Sequence, residues 1–136
     1  MIRLKPEDLA PRTRRFALAV VRLYVTLPRS TVACVLGKQL LRSGTSVGAH
    51  FREARRAKSN ADFVSKIEGA LQELDESAYW LELLRDACVT KSEVVEKLTA
   101  ECDELIAIFV TIVRRIKSAA ASPRQALSAA QLPTGR

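Results

Sequence analysis

Large apolar residues recur at alternating steps of three and four along four segments of this chain, each segment bounded by proline or by a small hydroxyl residue. That spacing lines one face of an α-helix and leaves no strand alternation. Phe16, Val20, Leu23 and Leu27 predict a first helix over 12–27, which Pro28 stops. Ser30 is placed to cap a second helix running to about Lys58, with Leu36, Leu40, Ser43, Val47, His50 and Ala54 on its stripe. Ser59 and Asp62 form a shortened capping box for a third helix carrying Phe63, Ile67, Ala70, Leu74, Ser77, Leu81, Leu84 and Cys88. Thr90 or Ser92 can cap a fourth, striped by Val95, Leu98, Cys102, Leu105, Phe109, Ile112 and Ile116. Short connections make neighbours antiparallel, so the expected fold is all-α: an antiparallel up-down-up-down four-helix bundle over 12–118. At 1.5 Å per residue the three longer helices would stand roughly 40 Å tall. Pro6 and Pro11 predict an irregular arm over 1–11, and the segment 119–136, with no acidic residue, predicts a flexible tail.

Composition agrees with one helical domain. The chain has 136 residues, of which 48% are hydrophobic and 27% charged, with five Gly and five Pro. That is too apolar for disorder and too poor in turn residues for a β architecture. Cys34, Cys88 and Cys102 are odd in number and form no C-x-x-C pair, which argues against a disulfide framework or a zinc module. No apolar run reaches the ~18 residues of a membrane span, and Arg22 interrupts the short one after Arg15, so a cytoplasmic location is expected.

Two features point to self-association. From Leu105 to Val113 only Thr111 is polar, so Ile106, Val110 and Val113 lie beside the main stripe. A second stripe of this kind is covered either by the chain's own bundle or by another subunit. Gly37, Gly44 and Gly48 each cost about 1 kcal/mol relative to Ala inside a helix, which is understandable where backbones approach closely. Gly44, Gly48, Ile106, Val110 and Val113 are therefore the candidate oligomer interface.

The polar stripe positions Ser43, His50, Glu73 and Ser77 can form a layer between helices two and three that sets their register. His50 as a base oriented by Glu73 is the catalytic alternative. His50 is the sole histidine, however, and no nucleophile pattern or Gly-rich phosphate loop accompanies it, so no enzymatic activity and no catalytic residue are expected. One histidine cannot furnish the two Glu-x-x-His motifs of a di-iron bundle, so neither a metal site nor a cofactor is expected.

Charge carries the functional signal. Residues 1–58 hold 13 basic and 3 acidic groups, 59–104 hold 4 and 12, and 105–136 hold 5 and 0, within a net charge of +7. In an up-down bundle the C-terminal ends of helices two and four share one end, bringing Arg52, Arg55, Arg56 and Lys58 near Arg114, Arg115 and Lys117, with Arg14 and Arg15 on the flank. Cations at helix C-termini are favoured by the macrodipole at roughly 0.3 to 1 kcal/mol each without any ligand. Seven from two helix ends exceed that need and predict contact with nucleic-acid phosphates, with weak sequence preference.

The run Arg42-Ser43-Gly44-Thr45-Ser46-Val47-Gly48-Ala49-His50-Phe51-Arg52-Glu53-Ala54, then Ser59 and Asp62-Phe63, then Glu73-Leu74-Asp75-Glu76-Ser77-Ala78-Tyr79-Trp80-Leu81-Glu82-Leu83-Leu84, resembles the four-helix-bundle family of ribosomal RNA intervening-sequence proteins. Relatives of that family include the accessory variability protein of diversity-generating retroelements. The likeness extends over residues 13–117, with departures at His50, where the family commonly has Asn, and at Ala54, where many members have Gly. The resemblance implies a homopentameric barrel and, through the retroelement relative, nucleic acid and a reverse transcriptase as partners. The combined expectation is a non-enzymatic oligomeric protein that binds RNA or DNA through a basic surface. The alternative is a scaffold that binds an acidic protein partner.

Overall fold

Ser30 and Ser59 start two of the helices as their spacing predicts. The Ser30 hydroxyl accepts from the Ala33 N–H at 3.1 Å and the Ser59 hydroxyl from the Asp62 N–H at 3.1 Å, each satisfying a first-turn donor. Asp62 reaches back to the Lys58 N–H at 3.3 Å, one residue beyond the Ser59 N–H that the acidic side chain of a full box would bond. The computed structural model describes the backbone of residues 6–87, 89–90 and 92–134, and the side chains of 9–87, 89–90 and 93–121. Cys88, expected on the third stripe, and the Ser92 side chain, a candidate cap, lie outside the described residues.

Four helices follow in order: α1 Pro6–Thr26, α2 Thr31–Arg55, α3 Asn60–Asp86 and α4 Ser92–Thr134. The described residues form no strand. α1 begins before the expected position 12, within the segment read as an irregular arm. Leu9 and Thr13 extend the apolar stripe one turn further and are buried, and the Thr13 hydroxyl donates to the Leu9 carbonyl at 2.8 Å. Their burial outweighs the single backbone hydrogen bond lost at Pro11. α2 stops at Arg55, three residues before the expected Lys58, where the Arg56 N–H donates to the Glu53 carbonyl at 3.0 Å. The helical backbone of α4 continues past 118 into the Ala-rich segment read as a tail.

Pairwise contacts give the register. Gly37 faces Tyr24 and Leu27, Gly44 faces Val20, and Gly48 faces Thr13, so α1 and α2 run antiparallel. Ser43 meets Ser77 while His50 meets Glu73, and Cys102 donates to the Leu74 carbonyl, so α2 to α3 and α3 to α4 also reverse. α2 and α3 share the most extensive interface, α1 and α4 the slightest. The core threads the bundle: Phe16, Val20, Leu40, Val47, Phe51, Ile67, Leu74, Leu81, Leu84, Leu105 and Phe109 are buried. Phe51 and Phe109 stack across the diagonal at 5.9 Å between ring centroids. His50 is a correction to the predicted stripe. Its side chain is 32% exposed, and the buried position belongs to Phe51. A straight helix at 3.6 residues per turn drifts away from a 3.5 repeat, so four residues on from Val47 is the inward step.

Gly44, Gly48 and Val113 are corrections to the proposed oligomer interface. A Cβ on Gly44 would sit 2.8 Å from Val20 Cγ2, and one on Gly48 3.3 Å from Thr13 Oγ1, so both glycines serve the α1–α2 approach inside one chain. Val113 is buried in the core and Ile106 packs against it, while Val110 is half-buried. The second apolar side of helix four is only partly covered by its own chain, with Ile106 and Val110 half-buried.

Candidate nucleic-acid interface

The antiparallel α1–α2 hairpin brings the start of α1 beside the end of α2. There, Ala10, Pro11 and Arg14 of α1 meet Arg52, Glu53, Arg55 and Arg56, and together they line an open groove of about 660 Å³. Helical spacing explains the set. Residues 10, 11 and 14 share one side of α1, and 52, 55 and 56 recur at steps of three and four on α2. All four arginines are exposed, and among the described residues none has a carboxylate oxygen within ion-pair distance. Among the described residues one acidic side chain lines the groove, Glu53, which is held 3.5 Å from Lys66 Nζ on α3. A second groove continues the surface toward Thr13, Ala17, Thr45 and Gly48, with Arg14 and Arg52 shared between the two.

The remaining expected cations are distributed differently. Arg15 turns to the other side of α1 and lines a groove against α4 with Phe16, Ala19, Val94, Lys97, Leu98 and Glu101. Lys58 is exposed in the α2–α3 turn. Arg114, Arg115 and Lys117 sit at the same end on α4, which has no backbone contact with α2, and Lys117 is paired with Glu68 at 3.3 Å. The seven-cation rim expected from helices two and four is therefore a four-arginine groove on α1–α2, with α4 cations on the diagonal. Arg12, between Arg14 and Pro11 in sequence, is committed elsewhere. It bonds Glu101 through two hydrogen bonds of 2.8 Å and reaches Glu104 at 2.8 Å, and these bonds hold its guanidinium well above its usual range. Nothing in the sequence ranks Arg12 below Arg14. Two steps of about 100° around the helix axis separate the paired cation from the one that lines the groove.

Between α2 and α3 the four expected polar positions do meet. Ser43 and Ser77 are buried with their hydroxyls 2.8 Å apart; one donates to the other, and the Glu73 carbonyl, 2.9 Å from Ser77 Oγ, and the Leu40 carbonyl, 3.3 Å from Ser43 Oγ, are the other acceptors. His50 Nε2 lies 3.5 Å from Glu73 Oε2, while its Nδ1 is buried against Gly69 without a partner among the described residues. Cys102 is buried beneath this layer, and desolvation, with smaller effects from nearby Asp103 and Asp75, pushes its thiol up to about 12. Among the described residues no three His, Cys, Asp or Glu side chains gather as a metal site, and no helix is long and apolar enough to cross a membrane.

The sequence matches the profile of the family described as 23S rRNA-intervening sequence protein over residues 8–111, which spans all four helices. The chain belongs to that family. Among solved structures, it is similar to a protein of unknown function from the S23 ribosomal protein family of Bacteroides thetaiotaomicron, at 37% identity and a TM-score of 0.76. That likeness covers 82% of this chain and 99% of the other. No functionally curated protein matches the sequence. Family membership accounts for the bundle and for the α2 and α3 motifs, whereas the arginine groove is described by this chain's own side chains.

Proposed function

We propose that this chain is a non-enzymatic, homo-oligomeric protein of the cytoplasm that binds nucleic acid through phosphate contacts in the α1–α2 groove. The observation that carries the reading is the convergence of Arg14, Arg52, Arg55 and Arg56 on one groove, where Glu53, the one carboxylate among the described lining residues, lies 3.5 Å from Lys66. Guanidinium groups are planar donors suited to phosphate oxygens, and an open groove admits a continuous backbone. The family's name connects its members with ribosomal RNA, which makes RNA the first ligand to try. The pentameric assembly and the reverse-transcriptase partner implied by family resemblance belong to the same proposal. Binding of a fluorescein-labelled RNA duplex, followed by anisotropy, tests it. Four phosphate contacts predict an affinity loss on the order of 10²-fold between 50 and 200 mM salt, with the triple variant Arg52→Ala, Arg55→Ala, Arg56→Ala binding weakly at either concentration. Binding that ignores salt, or a triple variant that binds as tightly as the parent, would remove the reading.

A further inference from the structure

The end of the bundle remote from the arginine groove has a different surface. Residues 9–52 contain no acidic side chain, so the α1–α2 hairpin from Leu9 to Arg52 is cationic or neutral outside. At its turn, Tyr24, Val25, Leu27 and Pro28 of α1 and its turn, with Cys34 and Val35 of α2, enclose an apolar groove of about 660 Å³. Val25 is 72% exposed, Val35 54% and Val32 53%, and Val21 is exposed beside them. Four uncovered valines around one hairpin turn, two of them lining a groove, are unusual on a chain that remains alone in water. Arg29 lines the groove, and exposed Arg22 and Lys38 lie three residues along the helices from Val25 and Val35. An occupant complementary to this surface is apolar at its centre and acidic around it.

The same chain carries such a surface. Of its six exposed large hydrophobic side chains among the described residues, four crowd the cationic hairpin turn, and the other two, Tyr79 and Val94, stand in the acidic α3–α4 half. Tyr79 is 53% exposed, braced edge-on by Trp80 at 5.1 Å, and flanked on the outer face of α3 by exposed Asp75, Glu76, Glu82 and Asp86. The antiparallel register puts the end of α3 at the same end of the bundle as the α1–α2 turn, so two copies side by side bring the surfaces level. We infer that the Val25–Val35 groove of one copy seats the Tyr79 face of α3 from a second copy, with Arg22 and Arg29 opposite Glu76 and Glu82. The two surfaces differ, so the contact is heterologous and repeats around a closed ring rather than stopping at a two-fold dimer. This rests on the homo-oligomer in the proposed function and moves its interface away from Gly44, Gly48 and Val113.

Light scattering on the purified full chain tests the assignment. Val25→Asp with Val35→Asp alters only exposed side chains, so the helical circular dichroism stays unchanged while the mass falls from that of an oligomer to that of one chain. Glu76→Lys with Glu82→Lys dissociates the assembly by charge repulsion, and adding Arg22→Glu with Arg29→Glu to the same chain restores it. Retention of the parental mass by the valine variant overturns this interface and leaves self-association through another face. A parental chain that is itself monomeric overturns both. RNA anisotropy on the monomeric variant reads the arginine groove separately, because that groove lies at the other end of the hairpin.

Discussion

At the scale of single residues, Gly44 and Gly48 show how one motif holds two different constraints. Val20, fully buried, would meet a Cβ on Gly44 at 2.8 Å with its Cγ2 methyl, and a β-branched side chain in a core has no rotamer to yield. Gly44→Ala is expected to destabilise the fold by about 1 to 2 kcal/mol despite the gain in helix propensity, as measured by urea unfolding. Gly48→Ala meets Thr13 Oγ1 at 3.3 Å, at an edge that is half exposed, and is expected to be neutral or stabilising by less than about 1 kcal/mol. Equal losses at both positions would contradict this account of the α1–α2 approach. Cys102 offers a pH test. Its thiol is raised to about 12 by burial from a reference of 9.0, so the folded state keeps the proton that the unfolded state releases above pH 9. The folded state therefore binds more protons across that window. Stability that is present below pH 9 is lost as pH rises toward 12, and Cys102→Ala should flatten this part of the profile. Alkylation of the Val25→Asp, Val35→Asp variant at neutral pH, followed by peptide mapping, should label Cys34, which is exposed in the single chain, and spare Cys102.

Among elements, the slightest contact is the most informative. α1 and α4 share little backbone contact, and a groove of about 310 Å³ opens between them above Phe16 and Leu98. Arg12 spans that seam to Glu101 and Glu104 from one side of α1, and α2 holds the other through Gly44 and Gly48. Arg12→Ala is expected to cost about 1 kcal/mol, a modest value because the partners are partly solvated. Its local signature is larger than its global one: hydrogen exchange should accelerate for the amides of Phe16 to Val20 while those of α3 keep their protection. Uniform acceleration throughout the bundle would mean that the clamp holds the whole fold rather than one edge of it. Helix three, by contrast, is packed against both α2 and α4 and anchors the buried Ser43–Ser77 hydroxyl pair.

The whole molecule is electrically divided, and the division gives each end a separate task under the readings above. In those readings the arginine groove at the start of α1 would take phosphate, and the apolar groove at the α1–α2 turn would take an acidic surface. Salt therefore acts on both, but with different signatures. Replacing three of the four groove arginines should reduce the slope of log affinity against log salt by roughly 2 to 3, because each duplex phosphate contact contributes about 0.9. The mass by light scattering should be unchanged by those replacements. A triple variant that lost RNA binding and assembly together would show that the two surfaces act as one.

Much of this was legible in the chain itself. The three-four spacing of Phe16, Val20 and Leu23, or of Leu98, Cys102 and Leu105, specifies helices with one buried side wherever they end up, and Pro28, Ser30 and Ser59 mark where the backbone must stop and restart. Those are local properties, set by steric limits and by donors left over at helix starts, so they are readable without a partner. The segregation of charge between 1–58 and 59–104 is equally a matter of sequence. What each side chain faces was not readable. Arg12 is paired with Glu101 and Glu104, Arg14 lines a groove and Arg15 turns away, though all three lie within four consecutive residues and have the same chemistry. Gly44 is reserved for Val20 of the same chain, and Phe51 rather than His50 takes the inward position. Rotation about a helix axis and the choice of neighbour are settled by long-range packing, and only the folded bundle decides which cations keep their charge open to a ligand.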